Sequence, residues 1–158
     1  MGDENGASWE RPARSVRVPA FEISARPVTN AQYRMFRPNH TSSGDNADTA
    51  PVTGVSWLAA SEYCAWLSKR LGRTVTLPTE AWWERAARGG LDGKRYPWGD
   101  EPPPSGERPN AYGFVALGWN LWEWVADWYA ADTYKVGGTD DPRGPVDGLY
   151  RVLRGGGY

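Results

Sequence analysis

Apolar positions recur with helical spacing in two long stretches of the chain. Between Ser56 and Gly72 they follow one another at intervals of three and four, which predicts a helix capped by Ser56 and stopped by Gly72. A second helix is predicted over Glu80–Arg88, because a proline and a threonine open it and a glycine pair follows it. A shorter helix is predicted over Ala31–Phe36, where Pro27 and Val28 end the preceding extended segment.

Alternation with a period of two predicts short strands elsewhere. These strands are Ser15–Val18 with its continuation through Phe21 and Ile23, Thr74–Leu77, and Tyr150–Leu153. The aromatic-dense segment Leu121–Trp128 fits either a strand or an irregular piece of core. The polar and turn-rich segments between these elements, at 38–50, 89–113 and 134–149, predict loops.

Composition narrows the fold class. The 158 residues contain ten Trp, eight Tyr and three Phe, together with 19 Gly and 13 Pro. This combination disfavours a helical bundle and favours an irregular, loop-rich α+β domain with about three helices and short antiparallel strands. The length suits one domain over residues 15–158, preceded by a polar lead-in over residues 1–14.

Charge and cysteine usage exclude several functions. The net charge of −1 argues against a nucleic-acid binder, and the single histidine excludes a multi-histidine metal centre built by this chain alone. The one cysteine excludes an internal disulfide and a CxxC zinc site. No apolar run is long enough to span a membrane, and the first twenty residues lack the apolar core of a signal peptide. We therefore expect no membrane partner and a cytoplasmic protein.

Two carboxylates lie among indoles in the segment Leu121–Trp128. Glu123 and Asp127 must be paired, hydrogen-bonded or metal-bound if they are buried. One interpretation is a calcium site that takes oxygens from Glu123, Asn120 and backbone carbonyls. The other is a polar core network in which backbone and indole N–H groups satisfy the carboxylates. The spacing leaves both interpretations open.

Four aromatic residues are candidates for the wall of a ligand groove. They are Tyr96, Trp98, Trp119 and Trp122, although all four could equally belong to the core.

Four other residues could carry chemistry, and each also has a structural interpretation. Cys64 lies on the apolar side of its predicted helix and is expected to be a packed, inert thiol. His40 lies in a polar loop and is expected to be solvated. Arg151 and Arg154 could bind an anion, but pairing with acidic residues of the chain is the alternative.

A series of motifs resembles the formylglycine-generating enzyme (sulfatase-modifying factor) family. The motifs are Pro27-Val28-Thr29-Asn30-Ala31-Gln32-Tyr33, Pro51-Val52-Thr53-Gly54-Val55-Ser56-Trp57, Leu77-Pro78-Thr79-Glu80-Ala81, Ala86-Ala87-Arg88-Gly89-Gly90, Tyr96-Pro97-Trp98-Gly99-Asp100, Trp122-Glu123-Trp124 and Arg151-Val152-Leu153-Arg154-Gly155-Gly156. The resemblance implies a C-type-lectin-like fold from about residue 10 onwards.

The chain departs from catalytic members of that family at its last residues. In those members an Arg-Gly-Gly-Ser strand leads to two redox-active cysteines that bind copper(I). Here Gly157 stands at the serine position and Tyr158 follows it, while Cys64 lies in a helix. Copper(I) needs soft thiolate ligands, so the resemblance implies that this chain alone holds no catalytic copper.

The family's calcium site near Trp-Glu-Trp is also altered. Ala116 stands where an Asp or Asn side chain would bind the ion, and Trp119 replaces a glycine, while Glu123 is retained. A calcium site therefore stays open but weakened. The segment between Asp100 and Pro109 is short, so a second calcium site is not expected.

The resemblance also implies a closing strand that this sequence lacks. Without it, the expected strand around Phe21–Ile23 has an unpaired edge, which favours a protein partner or a second copy of the chain. The function implied is a non-catalytic ligand- or protein-binding module, a role that variable proteins of diversity-generating retroelements show within this family branch. The alternative is a fragment or subunit of a copper-dependent oxidoreductase that oxidises a sulfatase cysteine, with its copper cysteines outside this chain.

Overall fold

The computed structural model describes residues 1–94, 96–101, 109–115 and 121–156. Within these ranges the elements are, in chain order, α1 (Asn30–Arg34), α2 (Trp57–Leu71), α3 (Glu80–Arg88), β1 (Leu121–Trp128), α4 (Thr133–Val136) and β2 (Arg151–Gly156). The chain divides into two compact units, Met1–Ala25 with Pro78–Tyr158, and Arg26–Leu77. None of the helices in the described ranges is both long and apolar enough to cross a membrane. The prediction of one domain over residues 15–158 stays a prediction.

The first unit contains the sheet of β1 and β2, which run antiparallel. Its inner face buries Val125 and carries Val152, and both pack with Trp83 and the alanines at the end of α3. The strands meet α3 because the apolar side chains of all three elements face one another. This core fixes the position of every charged group described below.

The outer face of the sheet follows from the register. Trp122 lies opposite Gly155, and Trp124 lies opposite Leu153. An irregularity of the ladder follows in β1, after which Trp128 lies opposite Arg151. Because opposed residues share a face, these side chains form one row away from the core.

Helix α3 begins and ends where its sequence predicts. Thr79 caps it, because the Thr79 hydroxyl accepts a hydrogen bond from the backbone of Trp82. The carboxylate of Asp127 accepts a second one from the backbone N–H of Glu80, at 2.8 Å. The helix stops at Gly89, whose φ of 55° favours glycine. The cap from Asp127 also ties β1 to the helix.

The second unit contains α1, α2 and a hydrogen-bonded polar loop. Aromatic rings from the two helices pack together, with ring centroids 5.5 Å apart between Tyr33 and Tyr63 and 5.7 Å apart between Phe36 and Trp66. The side chain of Asn30 is fully buried and donates to the backbone carbonyls of residues 45 and 47. This amide holds the loop against the start of α1.

Two predicted strands are wrong. Residues 15–23 form only an isolated bridge between Arg17 and Asp140, while Phe21 and Ile23 pack against the core of the first unit. Phe21–Ile23 is therefore not a strand, and the unpaired strand edge expected there does not exist. Residues 74–77 form no strand, because the Ser68 hydroxyl bonds both the N–H and the carbonyl of Val75.

Other boundaries shift by a few residues. Helix α1 spans Asn30–Arg34 instead of 31–36, and α4 overlaps the first residues of the predicted loop 134–149. The segment Leu121–Trp128 is a strand, which settles the alternative left open above. Strand β2 extends through the glycines to Gly156. The predicted α+β class with short antiparallel strands is confirmed.

Candidate functional site

An ion cluster lies beneath the inner face of the sheet. Arg154 of β2 reaches α3, where its guanidinium lies 3.2 Å from Glu80 Oε1 and 3.0 Å from Glu84 Oε2. The hydroxyl of Tyr134 donates to Glu80 at 2.7 Å. The guanidinium also lies 5.1 Å from the centre of the Trp83 ring. Arg154 thus joins β2, α3 and α4, and the prediction that it pairs within the chain is confirmed.

The arginines of this cluster keep its buried glutamate ionised. Burial alone would raise the pKa of Glu84, but Arg154 and then Arg88 outweigh it and hold that pKa below its ordinary value. Burial raises the pKa of Tyr134 well above its ordinary value, so its hydroxyl stays protonated and donates. Glu84 is therefore a satisfied carboxylate, and the cluster binds the fold together.

Glu123 also lies on the inner face of the sheet, but no cation offsets the effect of its burial. Its Oε1 and the indole nitrogen of Trp83 are both buried, and neither forms a hydrogen bond of ordinary geometry. Burial raises the pKa of Glu123 to about 7, and the Trp83 indole lowers it only in part. Burial also raises the pKa of Asp127, to about 6, against its bond from the Glu80 N–H. The predicted polar network thus holds for Asp127, while Glu123 keeps an unpaired oxygen.

Calcium fits this arrangement only in part. The unpaired oxygen of Glu123 is a suitable donor, but calcium takes about six to eight oxygens. The described part of the chain contains no group of three or more His, Cys, Asp or Glu residues able to hold an ion. Asn120 and Ala116 lie outside the described residues. A complete calcium site would thus need donors from the segment just before β1.

Two of the four groove candidates come together. The rings of Tyr96 and Trp98 are stacked, 5.2 Å apart with an interplanar angle of 6°. The Trp98 indole donates to the carbonyl of Glu101 at 3.1 Å, which fixes the turn. Trp122 makes no ring contact with either of them within the described ranges, and Trp119 lies outside those ranges. That the four residues wall one groove stays a prediction.

Trp122 is exposed, whereas Tyr96 and Trp98 are half-buried. It is 63% exposed and lies across the ladder from Gly155. Both Gly155 and Gly156 have positive φ, at 97° and 149°, which favours glycine. A Cβ at Gly156 would lie 3.8 Å from the Trp122 ring. We call Trp122, Leu153, Gly155 and Gly156 the Trp122 surface; its bare backbone lets another molecule approach the ring closely.

The remaining candidates are structural. Cys64 is half-buried in α2, and burial raises the pKa of its thiol. His40 is not simply solvated, because its Nε2 lies 3.0 Å from the Thr53 carbonyl oxygen and its ring packs on Tyr33. Arg151 lies 3.4 Å over the Trp128 ring and donates to a carbonyl of β1. None of these side chains is presented to a ligand.

The sequence analysis missed the acidic half of the ion cluster. Glu80 and Glu84 are one helical turn apart on a helix whose other residues are mainly Ala and Trp, and this spacing puts both on one face. That signal could have flagged them as buried carboxylates in need of a cation. Their partner Arg154 is 70 residues away from Glu84 and carries no local sign of the pairing.

Comparisons with known proteins agree with this architecture. The chain matches the Sulfatase-modifying factor enzyme 1-like domain over residues 1–109 and 102–158. The solved structure of Treponema denticola variable protein 1 superposes with a TM-score of 0.69 at 24% identity, covering 84% of this chain and 71% of that one. That likeness shows the fold.

Sequence relatives are closer. The chain is 37% identical to the formylglycine-generating enzyme of Streptomyces coelicolor, covering 100% of this chain and 52% of that protein. It is 39% identical to the formylglycine-generating enzyme of Thermomonospora curvata, covering 77% and 46%. A Mus musculus protein named inactive C-alpha-formylglycine-generating enzyme 2 is 36% identical, covering 96% and 68%. The chain spans about half the length of the two bacterial enzymes. The chain belongs to the sulfatase-modifying factor family, as its motifs predicted.

Proposed function

We propose that this domain is a non-catalytic module that binds a ligand or protein at the Trp122 surface. The observation that carries the proposal is a large exposed indole beside two glycines on a sheet whose other face packs against α3. Exposed Trp side chains supply much contact area at little entropic cost, and they are enriched at binding hot spots. Leu153 extends the apolar area and is 38% exposed.

The thiol chemistry of these residues supports a binding role. The sequence has one cysteine, and burial raises the pKa of Cys64, so the nucleophilic thiolate is disfavoured. A copper(I) site needs at least a pair of soft ligands, which a single helical thiol does not provide. We therefore propose that these 158 residues hold no catalytic copper of their own.

Calcium remains part of the proposal. Glu123 would supply one oxygen, and its burial without a partner is the arrangement that a cation would relieve. Glu123 follows Trp122 directly on β1, so an ion there would stiffen the strand that carries the Trp122 surface. The role proposed for calcium is structural support of binding.

Fluorine NMR of protein labelled with 5-fluorotryptophan tests the binding role. The Trp122 resonance is assigned with Trp122→Phe, and panels of peptides, glycans and nucleotides are added. We expect one ligand class to shift the Trp122 resonance and to leave Trp9, an exposed tryptophan outside the sheet, unchanged. Equal shifts of both resonances, or no shift with any panel, would contradict the proposal.

The alternative is a part of a copper-dependent formylglycine-generating oxidoreductase whose copper cysteines lie outside this chain. Identities of 37% and 39% to proteins of that name favour it. A copper(I) titration of the 158-residue chain against a competing chelator tests whether these residues hold copper by themselves, and tight one-to-one binding would overturn the proposal that they hold none. Because the alternative places the copper cysteines elsewhere, activity separates the two functions. Formylglycine formation on a sulfatase cysteine peptide by a complex that contains this chain would support the oxidoreductase and overturn the non-catalytic proposal.

A further inference from the structure

The end of α2 carries an exposed cluster of cations. Lys69 and Arg70 lie in the last turn of the helix, Arg73 follows just after it, and all three are exposed. Leu71 lies among them and is 53% exposed. We call Lys69, Arg70, Leu71 and Arg73 the α2 basic end. The sequence contains no Asp or Glu at positions 63–79, so no acidic residue nearby in sequence neutralises this cluster.

The acidic residues of the same unit are engaged with other groups. The unit Arg26–Leu77 contains six Lys or Arg and three Asp or Glu, which gives it a net charge of +3. Asp48 lies 2.6 Å from the Arg34 guanidinium, and Glu62 pairs with Arg37. The third carboxylate accepts a backbone N–H within the polar loop. The excess positive charge of the unit therefore lies mainly at the α2 basic end.

Two charged groups of this cluster are not neutralised within the part of the chain that the structure describes. The Lys69 ammonium forms no hydrogen bond or ion pair there, and the Arg70 guanidinium interacts with the Trp66 ring alone, 5.1 Å from its centre. That indole is itself packed, because it lies 5.7 Å from the Phe36 ring. A guanidinium already held on a ring loses less entropy on binding and keeps its N–H donors for a carboxylate.

The helix dipole accounts for only part of this arrangement. Cations in the last turn interact favourably with the carbonyl end of a helix, which explains Lys69 and Arg70. Arg73 lies beyond the helix, and the exposed side chain of Leu71 has no such role. An apolar side chain among cations is complementary to a surface that carries carboxylates around an apolar residue.

We infer that the α2 basic end binds an acidic segment of a partner protein, in which carboxylates flank an apolar side chain. The carboxylates pair with Lys69 and Arg70, and the apolar side chain packs on Leu71. Complementary charge of this kind steers association and selects among partners. The other unit, Met1–Ala25 with Pro78–Tyr158, contains twelve Lys or Arg and sixteen Asp or Glu, a net charge of −4. The attraction for an acidic partner is therefore a property of the unit that contains α2.

Nucleic acids and anionic membranes fit this surface less well. Nucleic-acid affinity comes mainly from neutralising phosphates, and three clustered cations in a chain of net charge −1 neutralise few of them. Anionic lipids are recognised by clusters of about four to eight Lys or Arg. A short acidic protein segment needs only two or three ion pairs and uses the exposed leucine as well.

The inference is independent of the proposed function. The α2 basic end and the Trp122 surface belong to different units of the chain. An acidic peptide that fails to bind would overturn this inference and leave the fluorine NMR test of Trp122 unaffected. A ligand panel that fails to shift the Trp122 resonance would likewise leave the peptide measurement unaffected.

Fluorescence anisotropy of a labelled peptide tests the inference. The peptide carries glutamates on both sides of two central leucines, and the 158-residue chain is titrated into it at low ionic strength. We expect saturable binding, with a dissociation constant of roughly 10–100 μM that rises as salt is added. Lys69→Glu and Arg70→Glu should each weaken binding about 10-fold, and Leu71→Ser about 3-fold.

Matched controls exclude a general effect of charge. Lys135 is an exposed lysine in the last turn of α4, in the other unit, so Lys135→Glu should leave the dissociation constant unchanged. A peptide with glutamine in place of every glutamate should not bind, and urea unfolding confirms that each variant is folded. Absence of binding by the wild type at about 1 mM peptide, or an equal loss in Lys135→Glu, would overturn the inference. Tighter binding of oligothymidine or of phosphatidylserine vesicles than of the acidic peptide would also overturn it, and would assign the surface to a nucleic acid or a membrane.

Discussion

Replacing Glu123 by glutamine removes one titrating group from the buried side of β1 and keeps its size. Burial raises the pKa of Glu123 from 4.5 to about 7. Between these two pH values the folded protein binds a proton that the unfolded chain has lost. The contribution of Glu123 to the free energy of unfolding therefore falls as pH rises through this window.

The magnitude follows from the two pKa values. Their difference is about 2.5, and each unit corresponds to about 1.4 kcal/mol, which gives about 3 kcal/mol. Below pH 4.5 both states are protonated, and Glu123→Gln should differ little from the wild type. Above about pH 7 the wild type carries the full destabilisation, so the variant should be about 3 kcal/mol more stable there.

Urea unfolding followed by tryptophan fluorescence measures this difference across the pH range, with a chelator present. Subtracting the variant from the wild type isolates Glu123 from Asp127, whose pKa is raised in the same direction. Asp147→Asn is the matched control for the loss of a carboxylate, because Asp147 is exposed in the loop before β2. Parallel wild-type and Glu123→Gln profiles would refute the reasoning.

Repeating the urea unfolding with calcium in place of the chelator tests whether Glu123 binds the ion. If Glu123 is a ligand, calcium at about pH 8 should stabilise the wild type by RT ln(1 + [Ca²⁺]/Kd) and leave Glu123→Gln unchanged. Equal stabilisation of both proteins would remove Glu123 from the site. The chelated and calcium-loaded series together separate the titration from metal binding.

Three further substitutions test the packing. Arg154→Met leaves the buried Glu80 without its cation, while Glu84 keeps only Arg88 and the N-terminal ammonium, and should lower the free energy of unfolding by about 3–5 kcal/mol. Asn30→Ala removes two hydrogen bonds from a fully buried side chain to loop carbonyls and should cost about 2–4 kcal/mol in the same urea assay. Gly89→Ala places a Cβ 2.9 Å from Asn110 at a positive φ and should cost about 1–3 kcal/mol. Gly138→Ala, where the space is open, should change stability by less than about 0.5 kcal/mol; an equal cost at both glycines would contradict the steric reasoning.

Helices were more predictable than strands because their signals are local. The cap of α2 by Ser56 and its end at Gly72 depend on residues adjacent in sequence. A strand needs a partner, and alternation alone does not supply one. Val75 shows this directly, since its backbone groups bond the hydroxyl of Ser68 instead of another strand.

The parts of the candidate site that depend on neighbouring residues could be predicted from the sequence, and the parts that depend on distant residues could not. The unusual carboxylates of β1 and the exposed Trp122 stand out in the sequence, because charged groups among indoles are rare. The ring pair of Tyr96 and Trp98 is also local. One cation of Glu84, Arg88, follows at the i,i+4 spacing and is a local signal. The other, Arg154, comes from a strand 70 residues later, and no spacing rule connects it to Glu84.

Two carboxylates of the same core differ in how their burial is compensated. Glu84 is held by arginines and stays ionised, whereas Glu123 has no cation and titrates near neutrality. The same core places a guanidinium beside Glu84 and none beside Glu123 among the described residues. The unpaired oxygen lies directly after Trp122, and strand alternation turns the carboxylate inward and the indole outward. Two successive residues of β1 therefore present an exposed indole and a buried carboxyl group whose charge changes near pH 7. If the charge of Glu123 governs the conformation of β1, the dissociation constant of a ligand at the Trp122 surface should change with pH near 7 in the wild type. In Glu123→Gln that dissociation constant should no longer change with pH.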